Sequence, residues 1–325
     1  NTAVQKGFEN VDASGVTGSF GAQITAISTG STITGTANAD VVTGGAGDDI
    51  IHFKGGTDID DADTIAGGTG ANSIVMDAVS TTINDVDFAN TTLIQTFTLA
   101  NGTNTAVFGA NANTAGIVTI NGGTGADTIT TGTGVQTING GAGIDTITGG
   151  AGADVIAGGD GDDSLIYLLT ADLFVDATNA IVDTSIAGNG GAGDQLTVGT
   201  SGTAFNIAAD NDWTGITTVE QVVAVANTAA ITIALDRTAQ TATGILTVDI
   251  SAGAAATGNI VDVSEFTTGP LTLTGSATGS TTITGGDGAD TITGGSVADV
   301  IVGGSGNDVF RYTATADLFT TNALV

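Results

Sequence analysis

The sequence predicts an all-β fold: parallel β-roll or β-solenoid blocks separated by Thr/Val/Ala-rich β spacer segments. Three observations predict it. First, five copies of a nine-residue phrase run without a gap from Gly122 to Ile166: GGTGADTIT, TGTGVQTIN, GGAGIDTIT, GGAGADVIA and GGDGDDSLI. Phased repetition at a fixed short period is the mark of stacked supersecondary units. Second, the remaining sequence alternates polar and apolar residues over short stretches such as ITIAL (231–235) and ILTVDI (245–250), bounded by Gly, Asn and Asp; this is strand periodicity. Third, helix signals are sparse, and only short helical pieces are expected, for instance LTADLF (169–174).

In chain order, residues 1–34 read as a partial β spacer and 35–75 as a first roll, carrying GTANADVVT and GGAGDDIIH. Residues 76–121 are a spacer and 122–166 the second roll. A spacer domain at 167–275 leads to a third roll at 276–311, with GGDGADTIT, GGSVADVIV and GGSGNDVFR, and 312–325 begins a further spacer. Spacers echo one another: LIYLLTADLFVDATNAIVD (165–183) recurs as VFRYTATADLFTTNALV (309–325). Architecture built this way is quasi-one-dimensional. Phrase positions 7 to 9 form a short strand whose middle residue points inward. An apolar ladder of Ile129, Ile138, Ile147, Ile156 and Leu165 is therefore expected, with a second of Ile283, Ile292, Ile301 and Phe310. Two phrases make one coil, and coils stack at roughly 4.8 Å.

The phrase also has a chemistry. Glycines at positions 1, 2 and 4 permit φ > 0, which turns successive carbonyls toward one point. Aspartate at position 6 closes each turn with a short carboxylate. Carbonyls plus carboxylates suit a hard divalent cation that takes six to eight oxygens, as Ca²⁺ does. The candidate ligand side chains are Asp40, Asp49, Asp63, Asp127, Asp145, Asp154, Asp163, Asp290, Asp299 and Asp308. The candidate carbonyls lie near Gly45, Gly47, Gly123, Gly125, Gly141, Gly143, Gly150, Gly152, Gly159, Gly161, Gly286, Gly288, Gly304 and Gly306. Gln136, Asn72 and Thr281 replace the position 6 aspartate and are expected to weaken or delete their sites. Val297 replaces a position 4 glycine beside Asp299. Asp48 and Asp162, at position 5, are expected to solvate the turn.

These phrases resemble the RTX nonapeptide G-G-x-G-x-D-x-U-x, a calcium-binding β-helix repeat. The resemblance covers about a third of the chain. It implies a parallel β-roll in which position 6 aspartates of adjacent turns share several Ca²⁺ ions. It also implies export by a one-step secretion system, and the Thr- and Ala-rich spacers look like those of bacterial S-layer and other large surface proteins.

Composition points the same way. The net charge is −30, and of 34 acidic residues only Glu9, Glu220 and Glu265 are glutamate. Such charge opposes compaction; about ten bound Ca²⁺ would offset much of it, coupling metal to folding. It also argues against nucleic acid as a partner. There is no cysteine, no apolar run long enough to span a membrane, and an Asn1-Thr2-Ala3 start, which together read as a mature or partial extracellular chain. Enzymatic activity is not expected. His52 is the only histidine, so neither HExxH nor a Ser-His-Asp set can be built, and it is expected to face solvent from position 9. Trp213 reads as a spacer anchor. Ice binding would need regular Thr and Asn at positions 3 and 5, and pairs such as Ala142/Ile144 and Asp160/Asp162 break that array. The expectation is a secreted, calcium-dependent structural protein that self-assembles outside the cell into an S-layer lattice or matrix fibre; a calcium-stiffened adhesin stalk is the alternative. Copies of the chain itself are the expected partner, with cell-surface polysaccharide as a second candidate.

Overall fold

In the computed structural model, the described residues are 3–16, 21–26, 29–55, 58–173, 183, 185–199, 202–208, 213, 215–225, 229–237, 239, 244–252 and 258–313. Strands are short because each phrase supplies three or four β-favouring residues before glycines break the run. All the strand pairs described below are parallel. The chain divides into two compact units, Asn1–Gly161 and Asp162–Val325.

In the first unit, strands Asn10–Asp12, Thr32–Thr34, Ile50–Phe53, Ser73–Met76, Thr96–Thr98, Thr119–Thr124, Thr137–Ala142 and Val155–Asp160 hydrogen-bond in that order. A second stack runs Thr82–Ile83, Thr105–Phe108, Thr128–Thr131, Thr146–Thr148. A third begins Ala3–Phe8, Ala22–Ala26, Val41–Thr43 and continues to Thr64–Ala66 and Thr91–Thr92. Register follows the phrase: Thr128 pairs with Thr146, Ile129 with Ile147 and Thr130 with Thr148. In the second unit, Ser164–Tyr167, Gln195–Val198, Gln221–Ala224, Thr247–Asp249, Thr272–Thr274, Thr291–Thr293 and Val309–Arg311 pair in sequence. Facing stretches run Phe205–Ile207, Ile231–Ala234, Asn259–Asp262, Thr281–Thr284, Val300–Val302.

Coil length varies while register holds. Ile33 pairs with Ile51, and Ile120 with Ile138 and then Ile156 through successive partners, so nonapeptide coils take 18 residues. Ile51 pairs with Ile74, Ile74 with Phe97 and Phe97 with Ile120, 23 residues each. In the second unit Leu196 pairs with Val222 and Val222 with Val248, 26 residues apart. Residues between the phrases thus wind as coils of longer circumference. One of these wider coils is filled by Phe88, Phe97 and Phe108, whose ring centroids lie 5.3–5.6 Å apart.

The apolar ladder is at most 1% exposed at Ile129, Ile138, Ile147, Ile156 and Leu165. Ile283, Ile292 and Ile301 are buried too. Phe310 departs from expectation and is only half-buried, because its strand is the outermost described rung of its stack. The TADLF helix forms at Thr170–Leu173; its second copy lies outside the described residues. The sequence reading missed the helix Ala110–Ala115, which ends on the left-handed Gly116 (φ 99°) and receives the Asp85 carboxylate at its start. It also missed the 3-10 turn Asp85–Phe88. Trp213 is fully buried. Among the described residues no helix is long and apolar enough to cross a membrane.

Candidate metal sites

Position 6 is the last residue before the strand, so its side chain turns into the coil corner. There one carboxylate oxygen bonds back to the preceding coil. Asp145 Oδ1 accepts the backbone N–H of Asp127 at 2.8 Å. Asp40 takes the N–H of Ala22 (2.6 Å), Asp63 that of Asp40 (2.7 Å), Asp49 that of Ser31 (2.7 Å) and Asp154 that of Gln136 (2.7 Å). In the second unit Asp290 takes Leu271 (2.9 Å), Asp299 takes Thr281 (2.8 Å) and Asp308 takes Asp290 (3.0 Å). Asp163 donates its own N–H to Asp194 at 2.7 Å. Nine of the ten candidate aspartates are buried, and Asp308 is half-buried. Asp299 keeps this bond despite Val297 in its turn.

The second oxygen has a different environment. Oδ2 of Asp49 and of Asp127 is buried with no hydrogen-bond partner among the described residues. A methyl built on Gly122 would fall 2.7 Å from Asp127 Oδ2 and 2.0 Å from the carbonyl oxygen of Gly140 in the next coil. The corresponding point on Gly44 lies 2.5 Å from Asp49 Oδ2 and 2.3 Å from the Gly67 oxygen. Gly140 repeats this with Asp145 and Gly158, and Gly285 with Asp290 and Gly303. At each corner a carboxylate oxygen and a carbonyl oxygen converge, acceptor toward acceptor.

The corners at Asn104 and Asn72 carry an amide instead, and they reveal what the acceptors face. Asn104 Nδ2 donates to the carbonyls of Ala100 (2.7 Å) and Gly102 (2.9 Å), which stand at positions 2 and 4 of its turn. Asn72 Nδ2 donates to Leu93 O at 3.0 Å, with Gly68 O further off at 3.4 Å. Where aspartate replaces asparagine, that NH₂ becomes a carboxylate oxygen and the carbonyls lose their donor. A buried acceptor set without a donor is costly; a hard cation with oxygen ligands resolves it. Among the described residues no group of three or more His, Cys, Asp or Glu side chains converges. Each corner therefore offers one or two carboxylates, with carbonyls making up the rest. This donor set fits Ca²⁺.

The glycines divide into two classes. Gly141 and Gly143 have φ of +108° and +139°, a region closed to most side chains. Gly45, Gly47, Gly123, Gly125, Gly150, Gly152, Gly159, Gly161, Gly288, Gly304 and Gly306 are also left-handed. Gly286 is outside that region, as are Gly132 and Gly134 of the Gln136 phrase. Position 1 corrects the expectation: Gly44, Gly122, Gly140 and Gly285 do not take positive φ. Glycine stands there for space, since any Cβ would enter the convergence point.

Burial dominates the electrostatics. It pushes the Asp63 carboxyl up to about 7, against the partly offsetting N–H groups of Asp40 and Asp60. Asp127 rises to about 6, with the Asn104 amide opposing the rise and the Asp145 charge adding to it. Asp49, Asp145 and Asp290 are raised by the same cause.

Several functional residues escaped the sequence reading. Asn104, Gln95, Asp194, Glu220 and Asn259 occupy the same corner outside the phrases and hold the preceding coil's N–H in the same way. Each directly precedes a strand, as in NTAVF, QTFT and DQLTV, except Asn259, which is the first residue of its strand. Asp48 and Asp162 are exposed, as expected of turn-solvating residues, and each also ties coils together: Asp48 Oδ1 accepts Ala71 N–H (2.7 Å) and Asp162 Oδ1 accepts Ala192 N–H (3.0 Å). His52 is half-buried and lies 3.0 Å from Asp77.

A family model described as RTX calcium-binding nonapeptide repeat (4 copies) matches residues 28–60, 59–75, 114–135, 130–165 and 277–310. The chain carries RTX repeats. These are calcium-binding motifs, and the corners described above lie within the matched segments at Asp40, Asp49, Asp127, Asp145, Asp154, Asp163, Asp290, Asp299 and Asp308. Asp63 falls within the 59–75 match, in an RTX turn without glycines. No curated protein and no solved structure matches the chain.

Proposed function

We propose that this is a secreted, non-enzymatic structural protein that folds around calcium outside the cell and then assembles with copies of itself into an S-layer lattice or matrix fibre. The observation that carries this reading is the repeated corner in which a buried aspartate oxygen faces carbonyls of its own and the next coil. A resident Ca²⁺ would supply positive charge shared between successive coils. The chain's residues do the rest. Aspartate Oδ1 anchors the preceding coil, the position 2 and 4 glycines turn their carbonyls, and the position 1 glycine leaves room. Asp40, Asp49, Asp63, Asp127, Asp145, Asp154, Asp163, Asp290, Asp299 and Asp308 would hold the ions.

The charge of −30 keeps metal-free chains extended and apart by self-repulsion. Calcium outside the cell removes that barrier, and a β-solenoid end presents unpaired strand groups to which a second copy can add. Replacing Asp145 and Asp154 with alanine tests the ligand assignment. The calcium midpoint of folding, followed by circular dichroism, is expected to rise, with the 122–161 coils melting first. An unchanged midpoint would remove those side chains from the ligand set. Negative-stain microscopy of the calcium-loaded protein then separates assemblies: sheets or fibres support the polymer, whereas dispersed rods favour an adhesin stalk.

A further inference from the structure

We propose that Asp194 and the backbone carbonyl of Thr218 form a further divalent-cation site, of calcium type, outside the nonapeptide repeats. The family match ends at residue 165 and resumes at 277, and the turn GNGGAGD (188–194) lacks the phrase spacing. Its geometry nonetheless reproduces the repeat corner. Asp194 is fully buried. Its Oδ1 accepts the N–H of Asp163 at 2.7 Å, and the N–H of Gly191 also faces the carboxylate. Its Oδ2 is buried with no hydrogen-bond partner among the described residues.

A methyl on Gly188 would lie 2.3 Å from that oxygen and 2.1 Å from the Thr218 carbonyl oxygen. Gly44 and Gly140 have the same arrangement within the repeats, each with its own aspartate and next-coil carbonyl. Glu220 replaces the next aspartate of the column, its Oε2 accepting the Asp194 N–H at 3.0 Å. Asp162 places another carboxylate on the same turn through Ala192 N–H. Two non-glycine residues hold the corner in left-handed backbone, Asn189 (φ 76°) and Thr218 (φ 52°), joined by a 2.7 Å bond from Asn189 N–H to Thr218 Oγ1. A hard cation is the ligand class, since the convergent atoms are all oxygens.

This inference rests on the calcium reading of the repeats, and the test separates the two. Native mass spectrometry of the full chain at saturating calcium counts bound ions in wild type, Asp194→Asn and Asp127→Asn. Asparagine is the substitution of choice because Asn104 shows the amide filling such a corner. The expected result is one ion fewer in each variant, with unchanged circular dichroism. One ion fewer in Asp127→Asn alone overturns the Asp194 site and leaves the repeats standing. No loss in either overturns both. If Asp194→Asn does not fold, anomalous scattering from wild-type crystals grown in calcium decides: a peak between Asp194 and Thr218 supports the site, and peaks at Asp127 without one there overturn it.

Discussion

The difference between Asp127 and Asn104 is one atom, and on the calcium reading it would set the metal dependence of a coil. The asparagine's NH₂ faces carbonyls at 2.7 and 2.9 Å and Asp127 Oδ1 at 2.7 Å. The aspartate brings an oxygen with nothing to accept from. Asp127→Asn is therefore expected to stabilise the chelated protein by about 1–3 kcal/mol, the usual cost of a buried unsatisfied polar group. Osmolyte-induced folding in chelator measures this, and a destabilised variant would contradict it. The raised carboxyls give a second prediction. Asp63 sits at about 7 and Asp127 at about 6, against an ordinary 3.8. A carboxyl more basic in the fold than in the open chain lends stability below the open-chain value, and that stability is lost as pH rises through 6 to 7. Without calcium the folded fraction, read by circular dichroism, should fall between pH 5 and pH 8. Calcium needs the ionised form, so its midpoint concentration should fall over the same interval. A calcium midpoint that rises, or metal-free stability that rises, over this interval would refute the assignment.

At the scale of the coil, the in-register ladder and the small corner residues set the tolerance to change. Ile138 lies between Ile120 and Ile156 with no exposure. Ile138→Ala should cost about 2–5 kcal/mol in calcium-loaded protein. Gly140→Ala tests the space argument separately from backbone conformation, because Gly140 does not have positive φ. Its methyl would sit 2.4 Å from the Gly158 oxygen and 2.5 Å from Asp145 Oδ2, so a loss of about 1–3 kcal/mol together with a raised calcium midpoint is expected. A loss of stability with no change in midpoint would make Gly140 a packing residue only. The ladder and the position 6 aspartates were legible in the sequence because nine-residue phasing repeats both at once. Asp194, Glu220 and Asn104 were not, since coils of 23 to 31 residues keep the corner but change the spacing that announces it. The role of position 1 glycine was hidden for another reason: its constraint comes from the next coil, 18 or 23 residues away.

In the molecule as a whole, a large negative charge accompanies buried acceptors distributed through both units. Amide corners such as Asn104 and Asn72 satisfy their carbonyls without a metal, while aspartate corners would hold back the remainder until calcium arrives. The Thr- and Ala-rich segments take part in the same stacking: Phe97 pairs with Ile74 on one side and Ile120 on the other. The most direct test is a calcium titration of the full chain from chelator to about 10 mM, the weak end of the extracellular range, followed by circular dichroism at pH 7.5. The account predicts little β structure in chelator and a cooperative rise in β signal as the ion is added, reversed by chelation. Full β structure in chelator, unchanged by calcium, would contradict it.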